Sequence, residues 1–132
     1  MTNNSTIKRK KILIVDDDRG MRSYIRRMLL LEDCYDIEMS ADGIDAQKKV
    51  KEFVPDLIFL DIKMPGQSGY EVLLDLREFI DEHNIKVIGI SGISGGIGAA
   101  FMEILEADAY FQKPFENEKV LKKVAKLLSG VK

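Results

Sequence analysis

The chain has 132 residues, 45% hydrophobic and 32% charged, enough apolar material for one packed core and too little length for two. Lys plus Arg number 20 and Asp plus Glu 22, a net charge of −2, without the basic excess of a nucleic-acid binder. One cysteine, Cys34, excludes an internal disulfide or a cysteine-based zinc site, and no run approaches the ~20 apolar residues of a membrane span. These features predict a cytoplasmic chain with no membrane insertion and no direct nucleic-acid contact.

Met1–Arg9, rich in Asn, Ser and Thr, is expected to be a flexible lead-in to a single domain over residues 10–132. Lys11–Val15 is a continuous β-branched run, as in a strand buried on both faces. Gly20–Leu31 places Met21, Ile25, Met28 and Leu29 at helical spacing, with Arg22, Arg26 and Arg27 between them. Tyr35–Ser40 reads as a second strand, and Asp42 caps a helix running to about Phe53, before Pro55. Leu57–Leu60 is a third buried strand. Met64-Pro65-Gly66 marks a turn, and Ser68 caps a helix carrying Val72, Leu73, Leu76 and Ile80 inward. Lys86–Ile90 is the fourth strand. The stretch Ser91–Gly98 holds four glycines and reads as a mobile loop, followed by a short helix candidate over Ala99–Glu106. Ala109–Phe111 is a short fifth strand. Asn117–Leu128 is the last helix, with Val120, Val124, Leu127 and Leu128 inward.

Alternating strands and helices predict a parallel sheet covered on both faces, and five units in one small domain predict an α/β doubly wound (βα)5 flavodoxin-like sheet of order 2-1-3-4-5. Ligands of such sheets bind beyond the carboxyl ends of the strands. There the sequence places Asp16, Asp17 and Asp18 after strand one, Asp61 after strand three, Ser91 after strand four, and Lys113-Pro114 after strand five. Clustered carboxylates repel unless they share protons or hold a cation, and an all-oxygen site with room for water suits Mg²⁺. A cation on one side and a lysine on the other neutralise a phosphoryl group between them, while a carboxylate can serve as its acceptor.

The ordered set Val15-Asp16-Asp17-Asp18, Asp61 to Gly69 (DIKMPGQSG), Ser91 and Lys113-Pro114-Phe115 resembles the receiver domain of two-component response regulators, over about Lys10 to Leu128. Each motif alone is weak; the ordered set on five units is specific. The resemblance implies that Asp61 is the phosphoacceptor. It implies that Asp17 ligates Mg²⁺ directly and Asp16 mainly through water, with a carboxylate oxygen of Asp61 and the backbone carbonyl of Lys63 completing the protein's share. It makes Ser91 the switch hydroxyl, Tyr110 the switch aromatic and Lys113 the phosphate-contacting cation, and it implies a cis Lys113–Pro114 bond. Lys63 and Ile93 fall where the family varies the lifetime of its acyl phosphate, and the glycine-rich loop is expected to close over the phosphoryl group. The partners implied are a sensor histidine kinase or phosphotransfer protein as donor and a downstream protein as target. With the chain ending soon after the last helix, a chemotaxis-type stand-alone receiver is expected, catalysing its own phosphorylation and possible autodephosphorylation without turning over an external substrate.

Plainer readings stand beside these. Asp16–Asp18 alone read equally as helix caps, Asp18 most simply so. Tyr110 also fits a half-buried sheet aromatic, and Ser91 a cap. The arginines of the first helix and Lys119, Lys122, Lys123 and Lys126 read more simply as solvated faces, His83 as a solvent-side residue, and Cys34 as a small core or loop residue. Three alternative functions remain. A phosphorylation-independent interaction module on the same fold is one. A Mg²⁺-dependent aspartyl phosphatase is disfavoured because Lys63 occupies the position of its second aspartate. A flavin carrier is disfavoured because three aspartates repel a flavin phosphate.

Overall fold

The computed structural model describes residues 9–64, 68–92, 103 and 106–129. Strands are β1 (Lys10–Val15), β2 (Tyr35–Ser40), β3 (Leu57–Asp61), β4 (Lys86–Ser91) and β5 (Ala109–Gln112). Helices are α1 (Arg19–Leu30), α2 (Gly43–Phe53), α3 (Gly69–Glu82) and α4 (Asn117–Leu128). All strands pair in parallel in the order β2-β1-β3-β4-β5, as the alternation of elements predicted. The tip of the turn at 65–67, residues 93–98 of the glycine-rich loop, and the 99–106 helix candidate apart from Glu103 and Glu106 lie outside the described residues. Ser91, read as the start of that loop, is instead the last residue of β4, where its carbonyl accepts the amide of Lys113 at 2.7 Å.

The central strands are apolar at nearly every position because both faces of the sheet are covered. Their side chains still alternate between two cores. Ile12, Ile14, Leu57, Phe59, Ile88 and Ile90 pack against Ile25, Met28 and Leu29 of α1 and Val120 and Val124 of α4. Leu13, Val15, Ile58, Leu60 and Val87 pack against Ala46 and Val50 of α2 and Val72, Leu73, Leu76 and Ile80 of α3. The period-2 pleat thus assigns each helix pair to one face.

The starts of α1, α2 and α3 are set by the predicted caps. Asp18 accepts from the Gly20 amide, Asp42 from the Asp45 amide, and Ser68 with Glu71 forms a reciprocal capping box at the head of α3. Ser68→Ala is expected to cost about 1 kcal/mol, read as a lower denaturant midpoint at unchanged slope. His83 is exposed at the end of α3, and Cys34 is exposed in the loop before β2. The Arg9 guanidinium is tied to the start of β2, donating to Asp36 at 2.7 Å and to the Tyr35 carbonyl at 2.8 Å.

Candidate functional site

The carboxyl ends of β1, β3, β4 and β5 form one rim, because parallel pairing aligns them: Val15 faces Leu60, Asp61 faces Ile90, and Ser91 faces Gln112. Asp16, one residue past β1, is fully buried. Its amide donates to the Ser40 carbonyl at 3.1 Å, and its Oδ1 accepts the Asp18 amide at 2.9 Å. Its Oδ2 accepts from Lys113 Nζ at 3.0 Å, and its carbonyl accepts from Arg22 Nη1 at 2.8 Å. Asp61, the last residue of β3, is 4% exposed, with Oδ2 3.7 Å from Lys113 Nζ and Oδ1 accepting the Lys63 amide at 3.4 Å. Asp17 is exposed. The Lys113–Pro114 peptide is cis, as the resemblance implied.

Asp17, Asp61, Lys63, Gly92 and Lys113 line an open cleft of about 360 Å³. One carboxylate oxygen from each of Asp16, Asp17 and Asp61 lies within 4.8 Å of the others. Three hard oxygen donors at that spacing, one of them exposed to solvent, fit a hydrated Mg²⁺ better than a soft metal. Both carboxylate oxygens of Asp16 already accept a hydrogen bond, which suits contact through water, whereas Asp17 is open to the solvent side.

Burial pushes the Asp61 carboxyl up to about 7, and the neighbouring Asp16 raises it further than Lys113 lowers it. Loss of hydration on burial is the main physical reason, and repulsion from the second buried carboxylate, only partly offset by the ammonium, adds to it. A cation reaching this cluster finds excess negative charge, and Asp61 lines the cleft with a carboxylate, a group whose oxygen can act as a nucleophile.

The structure therefore brings Asp16, Asp17, Asp61, Lys63 and Lys113 together. Ser91 is fully buried at the adjacent strand end, and Tyr110 stands off the cleft. The Tyr110 ring packs against the α2–α3 core, with its hydroxyl buried and without a hydrogen-bond partner among the described residues. Ile93 lies outside the described residues. Of two further residues at or behind the site, Gly92 entered the sequence reading only within the glycine-rich loop expected to close over the phosphoryl group, and Arg22 had no role within the site. Gly92 lines the cleft, and Arg22, read as part of a solvated face, reaches back to the Asp16 carbonyl. The signal for Arg22 was its place one turn into a helix that starts at an acidic strand end, since helical side chains lean toward the N-terminus.

Comparison with known proteins agrees with this geometry. The family model described as response regulator receiver domain matches residues 12–125. Response regulator MprA of Mycobacterium leprae is 36% identical over 126 residues, covering 92% of this chain and 52% of that protein. The chain thus spans about half the length of the curated relatives it matches. A CheY-like receiver domain protein of Methanospirillum hungatei superposes with a TM-score of 0.82 at 28% identity, covering 92% of this chain and 94% of that one. A signal receiver domain of Bermanella marisrubri superposes at 0.80 with 32% identity, covering 91% and 98%. Chemotaxis protein CheY4 of Vibrio cholerae superposes at 0.80 with 25% identity, covering 91% and 99%. By its ordered acidic and lysine positions, its sheet order and these matches, the chain belongs to the response regulator receiver family.

Proposed function

We propose that the chain accepts a phosphoryl group from the phosphohistidine of a sensor histidine kinase or phosphotransfer protein onto Asp61, and that the modified state is read by a downstream protein. The observation that carries the proposal is the placement of Asp61. Its carboxylate faces a cleft, with Lys113 Nζ 3.7 Å from one oxygen and the carboxylates of Asp16 and Asp17 beside it. In the transfer, the P–N bond of the donor breaks as a P–O bond to an Asp61 carboxylate oxygen forms, and the departing imidazole takes its proton from solvent. Positioning and charge stabilisation supply most of the catalysis in such a step.

Asp17 and Asp61 would hold Mg²⁺ directly with the Lys63 carbonyl, and Asp16 through water. When bound, the ion supplies positive charge to the transferring phosphoryl oxygens. On this chain's side, Lys113 holds Asp16 and stands ready for the phosphoryl group, and the buried Ser91 hydroxyl is the nearby donor on β4.

A phosphorylated group carries about −1.5 to −2 charge, by analogy with phosphoserine. Lys113 is joined to β4 through its amide on the Ser91 carbonyl, and Tyr110 lies three residues before it. Rearrangement of Ser91 and Lys113 around the new charge shifts Tyr110 and the surface about β5 and α4, a population shift between two states. The arginines of α1 and lysines of α4 give that side of the sheet a basic character suited to an acidic protein partner. No helix among the described residues is long and apolar enough to cross a membrane.

The test is intact mass after incubation with acetyl phosphate, with and without Mg²⁺, on wild type and Asp61→Asn. The expected result is a base-labile gain of one phosphoryl group that requires both Mg²⁺ and Asp61. Absence of the gain in folded wild type, with Mg²⁺ and then with a phosphorylated kinase, would favour the phosphorylation-independent interaction module.

A further inference from the structure

We infer that Arg22 is a positioning residue for the metal-binding carboxylates, acting through the backbone of the β1–α1 turn. The inference rests on the reading of Asp16, Asp17 and Asp61 as a Mg²⁺ site. Arg22 sits one turn into α1, and its Nη1 donates to the carbonyl of Asp16 at 2.8 Å. That carbonyl lies just past the last paired residue of β1, on a residue with no exposed surface, so the sheet ladder does not satisfy it. A charged guanidinium makes the stronger kind of hydrogen bond there.

The consequence falls on Asp17 more than on Asp16. The Asp16 carboxylate has anchors of its own in the Asp18 amide and Lys113. The Asp16 carbonyl belongs to the rigid peptide plane that continues into Asp17, so the bond from Arg22 fixes the orientation of that plane. Asp17 is the exposed carboxylate lining the cleft. Arg22 thus holds the backbone on which Asp17 is presented, while standing outside the cleft lining itself.

Electrostatics and positioning predict opposite signs for loss of this side chain. Removing a positive charge beside three carboxylates by itself tightens cation binding. Releasing the turn weakens it, and loss of an outer partner of a metal ligand commonly costs about 10–100-fold in affinity. Arg26, one turn further along α1 and exposed, carries the same charge and serves as the control.

The experiment is calorimetric Mg²⁺ titration of wild type, Asp17→Asn, Arg22→Met, Arg22→Lys and Arg26→Met, with folding at the assay temperature checked by circular dichroism. Arg22→Met is expected to bind Mg²⁺ about tenfold more weakly, Arg22→Lys to recover to within about threefold of wild type, and Arg26→Met to bind as wild type or slightly more tightly. In phosphorylation by acetyl phosphate, the Mg²⁺ concentration for half-maximal rate should rise about tenfold in Arg22→Met, while the rate at saturating Mg²⁺ stays within about threefold of wild type. If Arg22→Met does not fold, Arg22→Gln is read by the same criteria. Unchanged or tighter Mg²⁺ binding in the folded Arg22 variant overturns the inference, as does equal weakening in Arg26→Met. Wild type that binds no Mg²⁺ overturns the metal-site reading and this inference with it, whereas binding that depends on Asp17 but not on Arg22 overturns this inference alone.

Discussion

Gly69→Ala is expected to cost about 3 kcal/mol of stability and to slow phosphoryl acceptance by about tenfold or more in the protein that stays folded. A Cβ built at Gly69 falls 2.1 Å from the carbonyl oxygen of Asp61 and 2.9 Å from its carbonyl carbon. Those are backbone atoms, so no rotamer change relieves the clash. The Gly69 amide also donates to the Ile62 carbonyl at 2.9 Å, which holds the head of α3 against the end of β3. Either the helix backs away and loses packing of Val72, Leu73 and Leu76, or the Asp61 peptide shifts and carries its carboxylate out of place. Melting temperature and the rate with acetyl phosphate at low temperature separate the two losses. Gly20→Ala is the internal comparison. Its Cβ would stand 3.4 Å from Asp18 Oδ1, ordinary contact, so a change within about 0.5 kcal/mol is expected. Equal losses in the two variants would mean that the approach of Gly69 to Asp61 is not the cause.

Without metal, Asp61→Asn is expected to stabilise the fold at pH 8 by roughly 2–4 kcal/mol, with the gain gone near pH 4. Asp61 titrates at about 7 in the folded chain against an ordinary 3.8, because burial and Asp16 disfavour its charged form. Below pH 4 the carboxyl is protonated in both folded and unfolded chains and contributes no pH dependence. Between 4 and 7 the unfolded chain ionises while the folded chain keeps its proton. Stability from this group is therefore full at low pH and lost as pH rises through 7. Wild type in chelator should lose stability from pH 5 to pH 8 relative to Asp61→Asn, measured as the difference of two denaturation series. Saturating Mg²⁺ should close most of the gap, since a bound cation favours the ionised carboxylates and stabilises the folded state by mass action. A wild-type profile parallel to that of Asp61→Asn would show that the charge of Asp61 is not a stored cost of the fold.

Both expectations concern a site whose parts differ in how far they can be read from residues alone. Three continuous apolar runs announce the central strands because a parallel strand covered on both faces must be hydrophobic along its length, as Ile12–Val15 and Leu57–Leu60 are, whereas the edge strands Tyr35–Ser40 and Ala109–Gln112 carry a weaker, partly exposed pattern. Helical spacing of Ile25, Met28 and Leu29, and of Val72, Leu73, Leu76 and Ile80, announces the covering helices. Side-chain caps at Asp18, Asp42 and Ser68 mark where three of them begin. Asp16, Asp17, Asp61 and Lys113 stand out because charged residues at the ends of such runs have no place inside a core. These signals are local, and a linear pattern carries them.

Tertiary structure decided what each of those residues meets. Asp16 and Asp17 are neighbours in sequence, yet one is sealed between Lys113 and the Asp18 amide while the other opens to the cleft. The elevated titration of Asp61 arises first from burial and then from Asp16, which β1 brings close by pairing with β3. Arg22 looks like any surface arginine until its helix is set against the strand end, and Gly69 like any turn glycine until α3 is set under the Asp61 carbonyl. Composition, period and caps thus determined the elements and their order, because those depend on which residues avoid water. The packing of elements distant in the chain determined the electrostatics and clearances of the site, because those depend on separations of a few ångströms that no spacing along the sequence encodes.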